Sequence, residues 1–250
     1  MRCLRDELAL ERAWRQRPSQ SRSVFQGAGA CIASGVTTPR PRASFYQGGV
    51  MTEVALIDAG GANLGSVRYA LQRLGVEPRL VCDARGLEGA ARVILPGVGS
   101  APEAMARLNH QGLIEPLLRL QVPLIGICLG MQLLFEHSEE GDVPCLGLLP
   151  GRVRRLTPAP SIRVPHMGWN RLLPLRASPL LAEVPEGASA YFVHSYAVPL
   201  TTAAVAACDH GGMFIAIVQQ GVRCGAQFHP ERSAETGARI LRNFLEMDAA

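Results

Sequence analysis

Lysine is absent from this 250-residue chain, and all 25 basic residues are arginine. Schiff-base chemistry, a Ser-Lys dyad and a G-x-x-x-x-G-K-[ST] phosphate loop each need the lysine amine, so all three are excluded. Aromatic residues make up 5% and charged residues 18%, whereas 48% are hydrophobic. That is the composition of a globular chain with a sizeable core. No apolar run approaches the ~20 residues that cross a bilayer, so no membrane partner is expected. Cys3, Cys31, Cys82, Cys128, Cys145, Cys208 and Cys224 form no C-x-x-C pair. Their odd number, with no secretory apolar core, points to reduced thiols in a cytoplasmic setting. H-E-x-x-H is missing, as is any clustered Cys/His ligand set, so neither a metal nor a cofactor is expected.

The formal charge of +4 is unevenly placed, because residues 1–50 carry 8 Arg against 3 acids, leaving 17 Arg against 18 acids in residues 51–250. The larger part is close to neutral and shows no nucleic-acid footprint. Residues 1–50 scatter Arg, Ser, Pro and Gly without apolar periodicity, and read as a disordered extension or as sequence upstream of a true start at Met51. Asp6, Glu7 and Glu11 argue against a transit peptide. Residues 51–250 read as one domain.

Within it, Val54 to Asp58 forms an apolar strand. Asn63 to Leu74 follows as a helix with Leu64, Val67, Ala70, Leu71 and Leu74 on one face, ended by Gly75. Val76 to Cys82 and Arg92 to Leu95 are further strands, and Pro102 to Asn109 and Gly112 to Gln121 further helices. Strand and helix alternate, the signature of an α/β fold with parallel strands. The G-G-A-N turn after the first strand does not match a dinucleotide fingerprint. Beyond residue 140 the pattern shifts to short strands around Val153, Trp169–Leu172 and Tyr191–Val193, and to a hairpin of Ala203–Cys208 with Met213–Gln219 about Asp209-His210-Gly211-Gly212. Gly225 to Phe228 reads as a last strand and Thr236 to Met247 as a closing amphipathic helix.

Three short stretches carry chemistry. In Pro123 to Phe135 a buried strand turns into a helix at Cys128, with Gly126 two residues before and Gly130 two after. This is the G-x-[nucleophile]-x-G elbow with Cys as nucleophile. The helix N-terminus favours thiolate and offers the N–H of Leu129 to an oxyanion. Alone, the same residues also fit an inert buried thiol. Pro96-Gly97-Val98-Gly99 ends a strand with glycines on both sides of Val98, whose N–H is then free to turn toward a ligand; an ordinary strand-end turn fits as well. In His229-Pro230-Glu231 an extended backbone puts the imidazole and the carboxylate on one side, so Cys128, His229 and Glu231 can form a thiolate triad. For His110, His137, His166, His194 and His210 a solvated or packed role is the default, with His194 inside a strand and His166 and His210 in turns.

The joint order of G-I-C-L-G-M-Q, P-G-V-G and H-P-E resembles the class I (triad) glutamine amidotransferases. Within that family V-P-H-M-G-W-N (164–170), Y-F-V-H-S-Y (191–196) and S-E-E-G (138–141) look like the glutaminase subunits that form a heterodimer with a HisF-type (β/α)8 cyclase in histidine biosynthesis. The resemblance covers residues 53–247. It implies a flavodoxin-like fold, with a mixed, mostly parallel central sheet, flanking helices and the nucleophile elbow. It also implies hydrolysis of glutamine to glutamate and ammonia without a cofactor. By matching motifs, Cys128 attacks, His229 shuttles protons, Glu231 orients His229, and Val98, Gly99 and Leu129 form the oxyanion site. Gln132, Glu140, Ser195 and Tyr196 match glutamine-binding positions, with Ser195 where relatives often carry Thr. Asn63, Trp169, Tyr191 and Arg232 match positions that face the cyclase, with Arg232 where Lys is common. The alternatives are a glutaminase serving another synthase of this class and a non-catalytic interaction protein on the same scaffold.

Overall fold

The computed structural model describes residues 53–60 and 63–248; the expectations for residues 1–50 lie outside them. The first half alternates as its apolar periods require. Strand β1 (Val54–Ile57) leads to the Leu64–Arg73 helix, β2 (Arg79–Val81), β3 (Arg92–Gly97), the helices Ala101–His110 and Ile114–Arg119, and β4 (Leu124–Cys128). These four strands are parallel, in the order β2-β1-β3-β4. The sheet continues through the late strands β14 (Arg223–Ala226), β13 (Met213–Gln220), β12 (Ala204–Asp209) and β9 (Leu173–Pro174). β14 runs parallel to β4, and the remaining three strands are antiparallel to their neighbours. Chain order and spatial order part company here, since β14, the last strand among the described residues, lies beside β4, the strand that ends at Cys128.

Strand β1 shows why the sheet is covered on both sides. Ala55 and Ile57 face one core with Ala104, Met105, Leu108, Leu113 and Leu117. Val54 and Leu56 face the other, with Val67, Ala70, Leu71, Ile240, Leu241 and Phe244. Alternate side chains of a strand point to opposite faces, and a parallel sheet with helices on both faces needs apolar residues at every position. Among the described residues no helix is long and apolar enough to cross a membrane.

Two smaller sheets stand apart from the central one. A ribbon pairs β8 (His166–Arg171) antiparallel with β10 (Ser189–His194), and a four-stranded patch joins β11 (Tyr196–Ala197), β7 (Arg152–Arg155), β5 (His137–Ser138) and β6 (Val143–Pro144). Three sequence expectations are corrected here. The helix after the elbow covers only Leu129–Gln132, because the carbonyls of Leu133, Leu134 and Phe135 are taken by the N–H groups of Leu146, Leu149 and Gly147. β14 ends at Ala226 instead of Phe228, since the backbone then leaves the sheet and the His229 N–H donates to the Tyr191 carbonyl of β10. His166 lies in a strand and is 4% exposed, so it is not a turn residue.

Candidate active site

Cys128 stands at the end of β4 with φ 53° and ψ −111°. A side-chain-bearing residue pays for that conformation in strain, and such strain collects at functional sites. The glycines around it hold the turn. A Cβ on Gly126 would come within 2.5 Å of the Gly130 carbonyl oxygen, a Cβ on Gly130 would run into the Leu95 carbonyl of β3, and one on Gly97 would approach the Gly130 N–H to 2.7 Å. The elbow is therefore packed on the neighbouring strand as well as on itself. Gly97 belongs to this packing and pairs with Cys128 in the sheet register. The freedom expected on both sides of Val98 is thus confined to Gly99, whose φ is +101°.

His229 Nδ1 lies 2.8 Å from Glu231 Oε1, with both side chains almost fully buried. The contact arises differently from the extended i, i+2 geometry expected. His229 is extended, but Pro230–Arg232 forms a 3-10 turn that brings the carboxylate back under the imidazole. Nε2 on the opposite edge is buried and makes no hydrogen bond among the described residues. Burial opposes the imidazolium, yet Cys128 and Glu231 together outweigh it and hold His229 up to about 10, from an ordinary 6.5. The imidazole therefore keeps its proton at neutral pH, between the Cys128 sulfur and the Glu231 carboxylate. Burial pushes Cys145 up to about 11 and Cys208 and Cys224 up to about 12, as packing thiols.

One cavity of about 580 Å³ collects Cys128, His229 and Glu231 with Val98, Gly99, Leu129, Gln132, Glu140, Ser195 and Tyr196. Asn63 and Arg232 also line it. Gln132 Nε2 is committed to the Tyr196 carbonyl at 2.8 Å and to Gln227 Oε1 at 3.0 Å, which leaves its Oε1 for a ligand. Glu140 Oε2 accepts from the Ala101 N–H at 2.9 Å, capping the helix that follows the P-G-V-G loop. This carboxylate ties the loop to the opposite wall. Outside the cavity, the Arg232 guanidinium lies 5.3 Å from the Tyr191 ring centroid, and Tyr191 meets Trp169 edge-on at 6.0 Å. Trp169 and Met167 are 56% and 64% exposed.

Residues 55–247 match the family model for glutamine amidotransferase class-I. The chain belongs to the class-I glutamine amidotransferase family. It is 98% identical over 200 residues, 80% of this chain and 100% of the relative, to a protein of Xylella fastidiosa named imidazole glycerol phosphate synthase subunit HisH. A protein of the same name from Xanthomonas campestris pv. campestris is 79% identical over 197 residues, 79% of this chain and 98% of that one. Among solved structures, a glutamine amidotransferase superposes with a TM-score of 0.62 at 23% identity, covering 77% of this chain and 97% of that one. PurLQS from Thermotoga maritima superposes with a TM-score of 0.59 at 20% identity, covering 78% and 98%. These two likenesses are of fold.

As a glutamine amidotransferase the chain is an enzyme, and its site contains two polar residues that motif reading passed over. Gln227 is fully buried, and its Nε2 reaches Cys128 Sγ at 3.8 Å while its Oε1 accepts from Gln132. Ser233, also fully buried, donates from Oγ to the His229 carbonyl at 2.7 Å and accepts from the Tyr191 N–H at 2.9 Å. Both lie within four residues of His229 in an otherwise apolar or turn context. A polar side chain with no solvent-facing period was the available signal.

Proposed function

We infer that this amidotransferase is the glutaminase subunit of an imidazole glycerol phosphate synthase. It hydrolyses glutamine to glutamate and ammonia in the cytoplasm and passes the ammonia to a (β/α)8 cyclase subunit of histidine biosynthesis. The observation that carries the chemistry is the buried His229–Glu231 pair beside a strained Cys128 on one cavity wall. The name of the relatives, a subunit of a synthase, carries the assembly.

In the first half-reaction the Cys128 thiolate attacks the side-chain amide carbon, and the carbonyl electrons move onto oxygen. The N–H groups of Val98 and Leu129 receive that oxyanion, and one such donor contributes about 3 kcal/mol to the transition state. The C–N bond then breaks, and the His229 imidazolium gives its proton to the leaving ammonia. A γ-glutamyl thioester remains. In the second half, neutral His229 Nε2 takes a proton from water, the hydroxide adds to the thioester, and thiolate and glutamate separate. Glu231 holds the ring through Nδ1 and stabilises its charged form in both halves. Gln132, Glu140, Gly99, Ser195 and Tyr196 hold the glutamine; Asn63, Trp169, Tyr191 and Arg232 face the cyclase.

The test is ammonia release from glutamine by the chain alone, with a cyclase subunit, and with cyclase plus its nucleotide ligand. Turnover that rises with the cyclase supports the assignment. Absence of glutamine hydrolysis under all three conditions overturns it.

A further inference from the structure

An unbroken run of hydrogen bonds leads from the back of the β8–β10 ribbon to the nucleophile. Asn170 Nδ2 donates to the Asp209 carbonyl at 2.9 Å and lies 3.3 Å from His166 Nε2, while Asn170 Oδ1 accepts from the Arg171 N–H at 2.8 Å. His166 Nδ1 and His194 Nε2 are 3.1 Å apart, and His194 Nδ1 is 2.8 Å from the Tyr196 carbonyl. That carbonyl also receives Gln132 Nε2, which donates on to Gln227 Oε1, and Gln227 Nε2 reaches Cys128 Sγ.

The inventory of donors fixes the direction of every bond. A carbonyl only accepts, so His194 carries its hydrogen on Nδ1 and its Nε2 has a lone pair. His166 then donates from Nδ1, and its own Nε2 accepts from Asn170. No group is left to choose. A proton added to His194 Nε2 would face the His166 Nδ1–H across 3.1 Å, and one added to His166 Nε2 would face the Asn170 amide N–H across 3.3 Å.

The surroundings oppose that proton as well. His166 and His194 are 4% and 7% exposed, and Phe192 and Phe214 pack against both rings. The ionisable neighbours are imidazoles. His210 stacks on His166 with centroids 4.0 Å apart, and His229 acts on His194. Burial first, and then these like charges, push His166 down to about 4 and His194 down to about 3.

We propose that His166 and His194 are positioning residues, a neutral Nδ1–H pair that fixes the Tyr196 carbonyl and, through Gln132 and Gln227, sets Cys128 for attack on the substrate carboxamide. The proposal rests on the glutaminase reading for its chemistry, but the bonding pattern stands without it. Neither ring touches the reacting atoms in this role. The same chain links the strand that carries Trp169 to the nucleophile, so the ribbon and the catalytic sulfur share one set of bonds.

The first test is spectroscopic and independent of activity. Nitrogen–proton correlation spectra of the isotope-labelled wild-type chain should show both rings as Nδ1–H tautomers, against the usual Nε2–H preference, with no titration from about pH 5.5 to about pH 8. An Nε2–H tautomer on either ring, or titration in that window, overturns the proposal. The second test uses the chain assembled with its cyclase. His194→Phe keeps the ring packing but has no donor, and should lower kcat/KM for glutamine about three- to tenfold, the effect of one neutral hydrogen bond. His194→Asn places an amide N–H near the position of Nδ1 and should recover most of that loss. Wild-type kcat/KM in His194→Phe, or no recovery in His194→Asn, overturns it. If the wild-type complex has no glutaminase activity, the functional reading fails, and the tautomers still decide the bonding chain.

Discussion

The nucleophile elbow and the β8–β10 ribbon reach the same cavity by opposite routes. The elbow is made by residues within five positions of one another, and its parts are forced by contact: Gly126 and Gly130 cannot hold a Cβ beside the backbone that passes them. The ribbon is made by segments whose paired residues lie 18 to 28 positions apart, held by register pairs such as Trp169 with Tyr191 and His166 with His194. Its inner face is a polar chain in aromatic packing, and its outer face exposes Met167 and Trp169. Steric constraint makes the first region intolerant and local. Hydrogen-bond bookkeeping makes the second sensitive to changes far along the chain.

The largest expected effect falls on the elbow. Cys128→Ala should abolish glutamine-dependent synthesis in the complex while added ammonium salt still supports the cyclase reaction; glutamine hydrolysis at the wild-type rate would show that the sulfur is not the nucleophile. Gly130→Ala sets a Cβ against the Leu95 carbonyl, and overpacking at such a site costs about 3 kcal/mol. A denaturation midpoint equal to that of wild type would mean that the elbow is looser than its contacts indicate.

The pH profile probes the junction of the two regions, because the His229 N–H is bonded to the ribbon at Tyr191. His229 is raised from 6.5 to about 10, and the imidazolium is the form that protonates departing ammonia. Glutamine turnover should therefore hold through pH 7–9 and fall about tenfold per unit above about pH 10. The linkage has the same sign: stability from the charged ring is fully present below about pH 6.5 and is lost as pH rises through about 10. A fall in turnover centred near pH 7 would place the proton elsewhere.

On the ribbon, Trp169→Ala should leave the melting point of the isolated chain within about 1 °C, since the side chain is 56% exposed and surface changes cost little. It should weaken cyclase binding by about 2 kcal/mol, as a central aromatic anchor does. Thermal melts of wild type and Trp169→Ala read the first quantity and titration calorimetry with the cyclase the second, and unchanged affinity would remove Trp169 from the interface. The smallest effect is expected outside both regions. Deleting residues 1–50, upstream of the family match at 55–247, should leave melting point and turnover unchanged, and a drop of many degrees would show that they pack on the domain.

Much of the elbow side was legible in the amino-acid order because its causes are local. A five-residue glycine spacing and a strand with every position apolar imply their geometry without knowledge of distant residues, whereas a carboxylate two residues after a histidine implied the contact but not the 3-10 turn that makes it. The parallel direction of the first four strands followed from alternation alone, whereas their spatial order did not. Tertiary structure decided what depends on partners remote in the chain. The carbonyls claimed by Leu146, Gly147 and Leu149 end the elbow helix at Gln132. Pairing with Cys128 and close approach to Gly130 fix Gly97 in the sheet. Gln227, Ser233, His166 and His194 acquired roles only when folding removed water from them, because a buried polar group must find a partner inside the protein. Which partner it finds is set by packing across the whole sheet, and no spacing along the chain records that choice.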